Sequence, residues 1–304
     1  MVGGKTMNSV EQHYKKKFFT HDRVFNIVNT ALIAIFTFMV LYPVFFTLSA
    51  SISTGSAVDT GQVTFLPVGV TLSAYRTAIS DMMFWRAYWN AIHITFNGTL
   101  FNMFISLTGA YALAKKDLPG HRFFNLALVL TMWFGAGMIP MFINFRDLNM
   151  LGSFWGLIVG FAVNAFNIIL LRGAFQGTSG EMMEAARIDG ANDFQIFYKI
   201  AIPSIKPTMV TVWVMFGIGR WNGFFWTMIM LNDPNMVPLQ VYLRRIVIER
   251  EINIEFVQVI NDVAHSHSTL IYAIMMLSMV PILLIFPYIS RFFRKGIMDG
   301  GVKG

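Results

Sequence analysis

The sequence predicts an all-α integral membrane protein of six transmembrane helices with both termini in the cytoplasm. Three observations carry this expectation. Apolar residues make up 55% of the 304 positions and charged ones only 13%, about half the charge of a soluble domain. Six apolar stretches approach or exceed the roughly 20 residues that cross about 30 Å of hydrocarbon as helix. The cations also alternate in density from loop to loop, and Lys and Arg stay on the side from which a chain inserts.

The tail 1–23 precedes the first stretch, 24–48. Lys15, Lys16, Lys17 and Arg23 before it and small residues at 49–51 after it imitate a secretory signal, but the apolar run is too long for one. The second stretch, 87–114, contains Asn97, Gly98 and Thr99, a glycosylation pattern that lies inside the span where no modifying enzyme reaches. The third and fourth are 123–145 and 151–171. The fifth, 208–232, carries Arg220, the one charged residue within any span. The sixth, 268–290, leads into the tail 291–304. Backbone groups in such runs are satisfied only inside a helix.

Of the 23 Lys and Arg, sixteen fall in the two tails and in the loops 114–122 and 172–207. Six fall on the opposite side: Arg76, Arg86, Arg146, Arg244, Arg245 and Arg250. The net charge of +7 is thus divided among cytoplasmic loops, which suits anionic inner-leaflet lipid rather than a nucleic acid. The exterior insertions 51–86 and 233–267 are too short for a catalytic domain and read as a receiving surface or a lid.

Few residues offer chemistry. With no cysteine there is neither disulfide nor thiol nucleophile, and no catalytic residue emerges. His265 and His267 make a poor metal pair and read as solvated loop residues, so no metal site is expected. All sixteen acidic residues lie outside the spans, whereas ion-driven carriers place carboxylates near the midplane. Gly4, Lys5 and Thr6 imitate a phosphate loop but lack the preceding glycine and strand. If ATP drives this protein, another subunit binds it, and this chain holds no cofactor.

The segment 184–207 is the exception. Helix formers at 181–189 begin with acidic residues, which favour a helix start. Ala185 and Ala186 let another surface approach the backbone, and Gly190 permits a sharp turn. A second helix, 193–200, would carry Phe194, Phe197 and Tyr198 and end at Pro203 and Pro207. The alternatives are a helix-turn-helix lying along the cytoplasmic face or an ordinary charged loop.

Glu184, Ala185 and Ala186, Gly190 six residues after the Glu, and Ile200, Ile202 and Pro203 resemble the loop motif of the membrane subunits of ATP-binding-cassette importers. Ile202 stands where that family has Leu. Asp189, Gly190 and Ala191 resemble the carbohydrate-uptake branch, specifically its maltose-permease-like second subunit and its importers of polysaccharide fragments. Leu72 to Tyr75 in sequence, Asn90, the run Ala110, Tyr111, Ala112, Leu113, Ala114, the pair Trp221 and Asn222, and the terminal Gly301, Val302, Lys303, Gly304 agree.

The resemblance implies the type I importer fold and a sister permease, two ATPase subunits holding ATP and Mg, and an extracytoplasmic solute-binding protein, in the bacterial cytoplasmic membrane. It implies ATPase coupling through Glu184, Ala185, Ala186, Asp189, Gly190, Ala191 and Pro203. Gly301 and Lys303 would either contact the ATPase or belong to a frayed end.

For the substrate path, the fifth span offers Arg220, Trp221, Asn222, Phe225 and Trp226, joined by Trp133, Asn144, Asn164 and Asn167. Aromatic faces stack on sugars and Asn and Arg bind hydroxyls or carboxylates; helix packing is the plainer alternative. Arg220 either faces an acidic oligosaccharide, such as an alginate or pectin fragment, or caps backbone carbonyls or reaches the surface. Permeases for neutral oligosaccharides, for peptides or lipids, and an ion-coupled secondary carrier are the competing functions.

Overall fold

The computed structural model describes residues 5–178, 180–252 and 267–300, which are helical with no strand among them. Helix α1 (Lys5–Ser51) runs through the first apolar stretch, followed by the short α2 (Gly55–Asp59) and α3 (Ser73–Ser80). Helix α4 (Met82–Ala114) leads to the pairs α5 (His121–Trp133) with α6 (Met138–Asp147) and α7 (Phe154–Gly160) with α8 (Ala165–Gln176). Then come α9 (Gly180–Ile188), α10 (Asp193–Ile196), a π-turn at Phe197–Ala201, and α11 (Ile202–Ser204). Helices α12 (Lys206–Asn222), α13 (Phe225–Met230), α14 (Leu239–Ile252) and α15 (His267–Gly300) complete the described chain.

Among the described residues, Arg23–Ser51 and His267–Pro287 are each long and apolar enough to cross a membrane as one helix. Three bent pairs reach that standard only when each is counted as a single span. The third stretch breaks between Trp133 and Met138 with a 117° bend, and the fourth breaks between Gly160 and Ala165 with a 53° bend. The expectation of uninterrupted helices in the third, fourth and fifth stretches is therefore corrected. Ser153 and Asn164 explain two restarts, because their side chains accept hydrogen bonds from the amides of Gly156 and Asn167 at the starts of α7 and α8. In the fifth stretch α12 stops at Asn222, and α13 begins anew at Phe225.

Packing divides the chain into two compact units. In the first, which holds the chain through Tyr75 and the start of α15 up to Met276, three serines organise the loop after α1. Ser49 donates to the Phe65 carbonyl at 2.6 Å, Ser51 shares a 2.8 Å hydrogen bond with the Tyr75 hydroxyl, and Ser53 accepts from the Val68 amide at 3.0 Å.

In the second unit, α4 is the central helix and packs along both α8 and α12. Phe84, Ala87, Ala91, Ile94, Gly98, Asn102, Ser106 and Ala110 are buried at helical spacing. Small and polar residues on that stripe let neighbouring helices approach closely. They also lower its apolarity, which is why α4, despite its 33 residues, is not among the candidate spans.

Candidate functional site

Two places in the second unit concentrate the residues singled out from the sequence. The first is a cavity of about 380 Å³ where α12 breaks. Arg220, Asn222, Phe225 and Trp226 line it together. Gly219 and Gly223, one turn apart, present no side chains to it. Asn102, Phe161, Phe216, Phe224 and Thr227 complete much of the wall and were missed from the sequence. The signal for Asn102 was present, since a buried amide four residues after Gly98 falls on the same helical face.

Arg220 spends most of its donors on backbone. Its Nη1 donates to the Leu157 carbonyl at 3.1 Å, and its Nη2 to Asn102 Oδ1 at 2.8 Å and to the carbonyls of Ile158 and Phe161 at 2.9 Å each. These carbonyls belong to the broken end of α7, where the helix runs out of amides for its last carbonyls and the helix dipole is negative. A cation therefore caps the break. Gly98 makes the approach possible, since a Cβ there would stand 2.9 Å from Arg220 Nε. Hydrogen bonds to neutral carbonyls leave the charge in place, and Arg220 forms no ion pair among the described residues.

The remaining path residues lie elsewhere. Trp221 is 6% exposed and turns away from the cavity, donating Nε1 to the Ser278 carbonyl at 3.2 Å and meeting Tyr88 edge-on. It is not on the wall of this cavity, and indole packing between helices, the plainer alternative, satisfies its N–H there. Trp133 is 78% exposed and Asn144 is exposed, neither on the cavity wall. Asn164 caps α8, and Asn167 is buried just inside that helix.

The second place is the α9–α11 segment. Gly190 has φ +83°, a left-handed turn that L-residues adopt at a cost, and it separates α9 from α10 as expected. Asn192 and Gln195 then form a reciprocal capping box at 2.9 and 3.0 Å. The second helix does not stop near Ile200: it widens into the π-turn and continues as α11. Pro203 thus lies within the continuation instead of ending it. Proline lacks an amide to bond back one turn, and the widened turn absorbs that gap. Glu184, Ala185, Asp189, Gly190 and Pro203 are exposed, while Ala186 and Ala191 are half-buried. Ile188, Phe194 and Tyr198 are exposed by 84%, 74% and 66%. The Lys115 ammonium hydrogen-bonds Asp193 and, with Arg187, holds its carboxyl below the ordinary value of 3.8. Gly301 and Lys303 lie outside the described residues, as does His265.

No family model matches the chain. The "Polygalacturonan/rhamnogalacturonan transport system permease protein YtcP" of Bacillus subtilis (strain 168) is 32% identical over 284 residues, covering 93% of this chain and 99% of that protein. The chain belongs to the permease subunits of carbohydrate-uptake ATP-binding-cassette transporters. This permease is accordingly a non-catalytic membrane component. A crystal structure of a bacterial ABC transporter involved in the import of the acidic polysaccharide alginate matches the permease with a TM-score of 0.85 and 42% identity, covering 90% of it and 98% of the solved chain. A chain of a bacterial alginate ABC transporter in complex with an alginate pentasaccharide-bound periplasmic protein shares the fold alone, with a TM-score of 0.53 and 14% identity over 93% of the permease and 96% of that chain.

Proposed function

We propose that this permease is one membrane half of an ATP-driven importer of acidic oligosaccharides of the alginate or pectin-fragment class. The observation that carries the reading is the 42% identity, at TM-score 0.85, to a permease of an alginate importer. The relative named for polygalacturonan and rhamnogalacturonan transport points to the same uronate chemistry. The cavity adds a physical reason: aromatic rings for sugar faces, Asn222 for hydroxyls, and an Arg220 charge without a carboxylate partner among the described residues.

The assembly proposed is a sister permease, two ATPase subunits with ATP and Mg, and a solute-binding protein on the exterior, in the bacterial cytoplasmic membrane. Six spans between 24 and 290 would leave both tails cytoplasmic: α1, α4, α5 with α6, α7 with α8, α12 with α13, and α15. The exposed face of α9–α11 would seat in an ATPase subunit, so that closure of the ATPase pair moves the helices and switches the path. Nothing in this assembly requires an ion gradient.

A second reading, a neutral-oligosaccharide importer, is favoured by the bonding of Arg220 to carbonyls of α7, which gives the cation a structural use. Uptake into proteoliposomes holding the whole transporter separates the two. Uronate oligosaccharides and their carboxyl-reduced counterparts of equal length are supplied through the binding protein. Preference for the acidic series supports the first reading, and equal or greater uptake of the reduced series establishes the second.

A further inference from the structure

The α9–α11 segment is fastened to the membrane helices along one side, and the fastening converges on the last turn of α4. Phe197, in the π-turn, packs against Tyr111 with ring centroids 4.8 Å apart and against Phe175 of α8 at 6.4 Å. Tyr111 itself meets Phe175 edge-on at 5.5 Å. Lys115, four residues on, donates to Asp193 Oδ1 at 2.9 Å and lies 5.0 Å over the Tyr111 ring. Arg187 of α9 approaches the same oxygen at 3.7 Å. Met183 of α9 joins Phe197 and Tyr111 on one apolar cluster, which runs through Ala201, Ile205 and Val212 to Phe216. Phe216 is a wall of the cavity.

We propose that Tyr111 and Lys115 are positioning residues for transport. They hold Phe197 and Asp193 so that displacement of α9 carries α4 and α12 with it instead of being absorbed in the loop. The inference rests on the reading of α9 as the element an ATPase subunit drives. Aromatic rings suit this role because they are large, stiff and packed on three elements. The ion pair suits it differently: Asp193 is exposed, so its contribution to folding is small, and its removal alters geometry more than stability. Contiguous packing does not by itself establish coupling, so the test must read coupling directly.

The measurement is oligosaccharide imported per ATP hydrolysed, in proteoliposomes holding the full transporter and its binding protein. Tyr111→Ala and Asp193→Asn each lower this ratio on the order of three- to ten-fold, the range of couplings carried by such contacts. Tyr111→Phe keeps it, because the buried Tyr111 hydroxyl has no hydrogen-bond partner among the described residues and the ring alone packs Phe197. The exchange Lys115→Asp with Asp193→Lys restores most of what Asp193→Asn loses. Should Tyr111→Ala fail to assemble, Asp193→Asn and the exchange decide the matter. An unchanged ratio in Asp193→Asn and in any assembled Tyr111→Ala overturns the proposal. Ala185→Trp, on the exposed face of α9, serves as the reference. If it impairs ATP-driven import while the other variants do not, only the fastening is wrong; if it imports normally, the driven-element reading fails with it.

Discussion

Arg220 shows how one side chain settles a local conflict created by the fold. A helix end leaves carbonyls without intrahelical amides, and α7 ends at Gly160 with the Leu157 and Ile158 carbonyls accepting from the guanidinium. Replacing Arg220 with Met should therefore destabilise the purified permease by on the order of 3 kcal/mol, since buried orphaned carbonyls cost about 1–3 kcal/mol each. Arg220→Lys should recover part of this, because an ammonium keeps the charge but loses the planar fork. Denaturant titration in micelles reads both, and a Met variant as stable as wild type would contradict the capping role. Gly98→Val should lower stability in the same assay by about 1–3 kcal/mol, as overpacking does, because its Cβ meets Arg220 Nε.

At the scale of elements, the α9–α11 segment was the most legible part of the sequence. Glycine and capping residues act locally, so the Gly190 turn and the start of α10 could be read from neighbouring residues. The breaks in the third, fourth and fifth stretches were not read, because apolar runs look alike whether a helix continues or bends, although Asn164, the local cap that restarts α8, was a signal for one of them. What decides them is tertiary: a capping side chain from another helix, as Arg220 provides for α7. The same reason left Trp221 open between the path and helix packing, since the carbonyl that its N–H finds lies far along the chain on α15. The cavity was half legible. Arg220, Asn222, Phe225 and Trp226 share α12 and α13 and could be grouped by proximity, whereas Asn102 and Phe161 come from other helices.

Three predictions belong to this scale. Gly190→Val should destabilise the turn by about 1–2 kcal/mol, the cost of a left-handed conformation for an L-residue, and Asn192→Ala by about 1 kcal/mol through the lost cap; protease susceptibility of the segment reports both. The depressed Asp193 carboxyl fixes a pH sign. Its ion pair with Lys115 stabilises the segment at neutral pH and, on the acid side, is lost only as pH falls from the ordinary carboxylate value of 3.8 through the lower folded value. Protease protection of the segment should thus show no step from this group between roughly pH 5 and 8. A step in that window that disappears in Asp193→Asn would contradict the assignment.

For the whole molecule, family membership and the arrangement of the two sites describe a passive machine: a cavity whose walls come from several helices, and an exposed segment packed on the same helices. Acidic cargo and drive by partner ATPases are the two parts of the proposal that join them. The most direct test is the ATPase activity of the reconstituted transporter with its binding protein, loaded in turn with uronate and neutral oligosaccharides. Hydrolysis stimulated by the uronate series, and abolished when Ala185→Trp blocks the exposed face of α9, is the predicted result. Hydrolysis indifferent to loaded binding protein, in an intact complex, would contradict it.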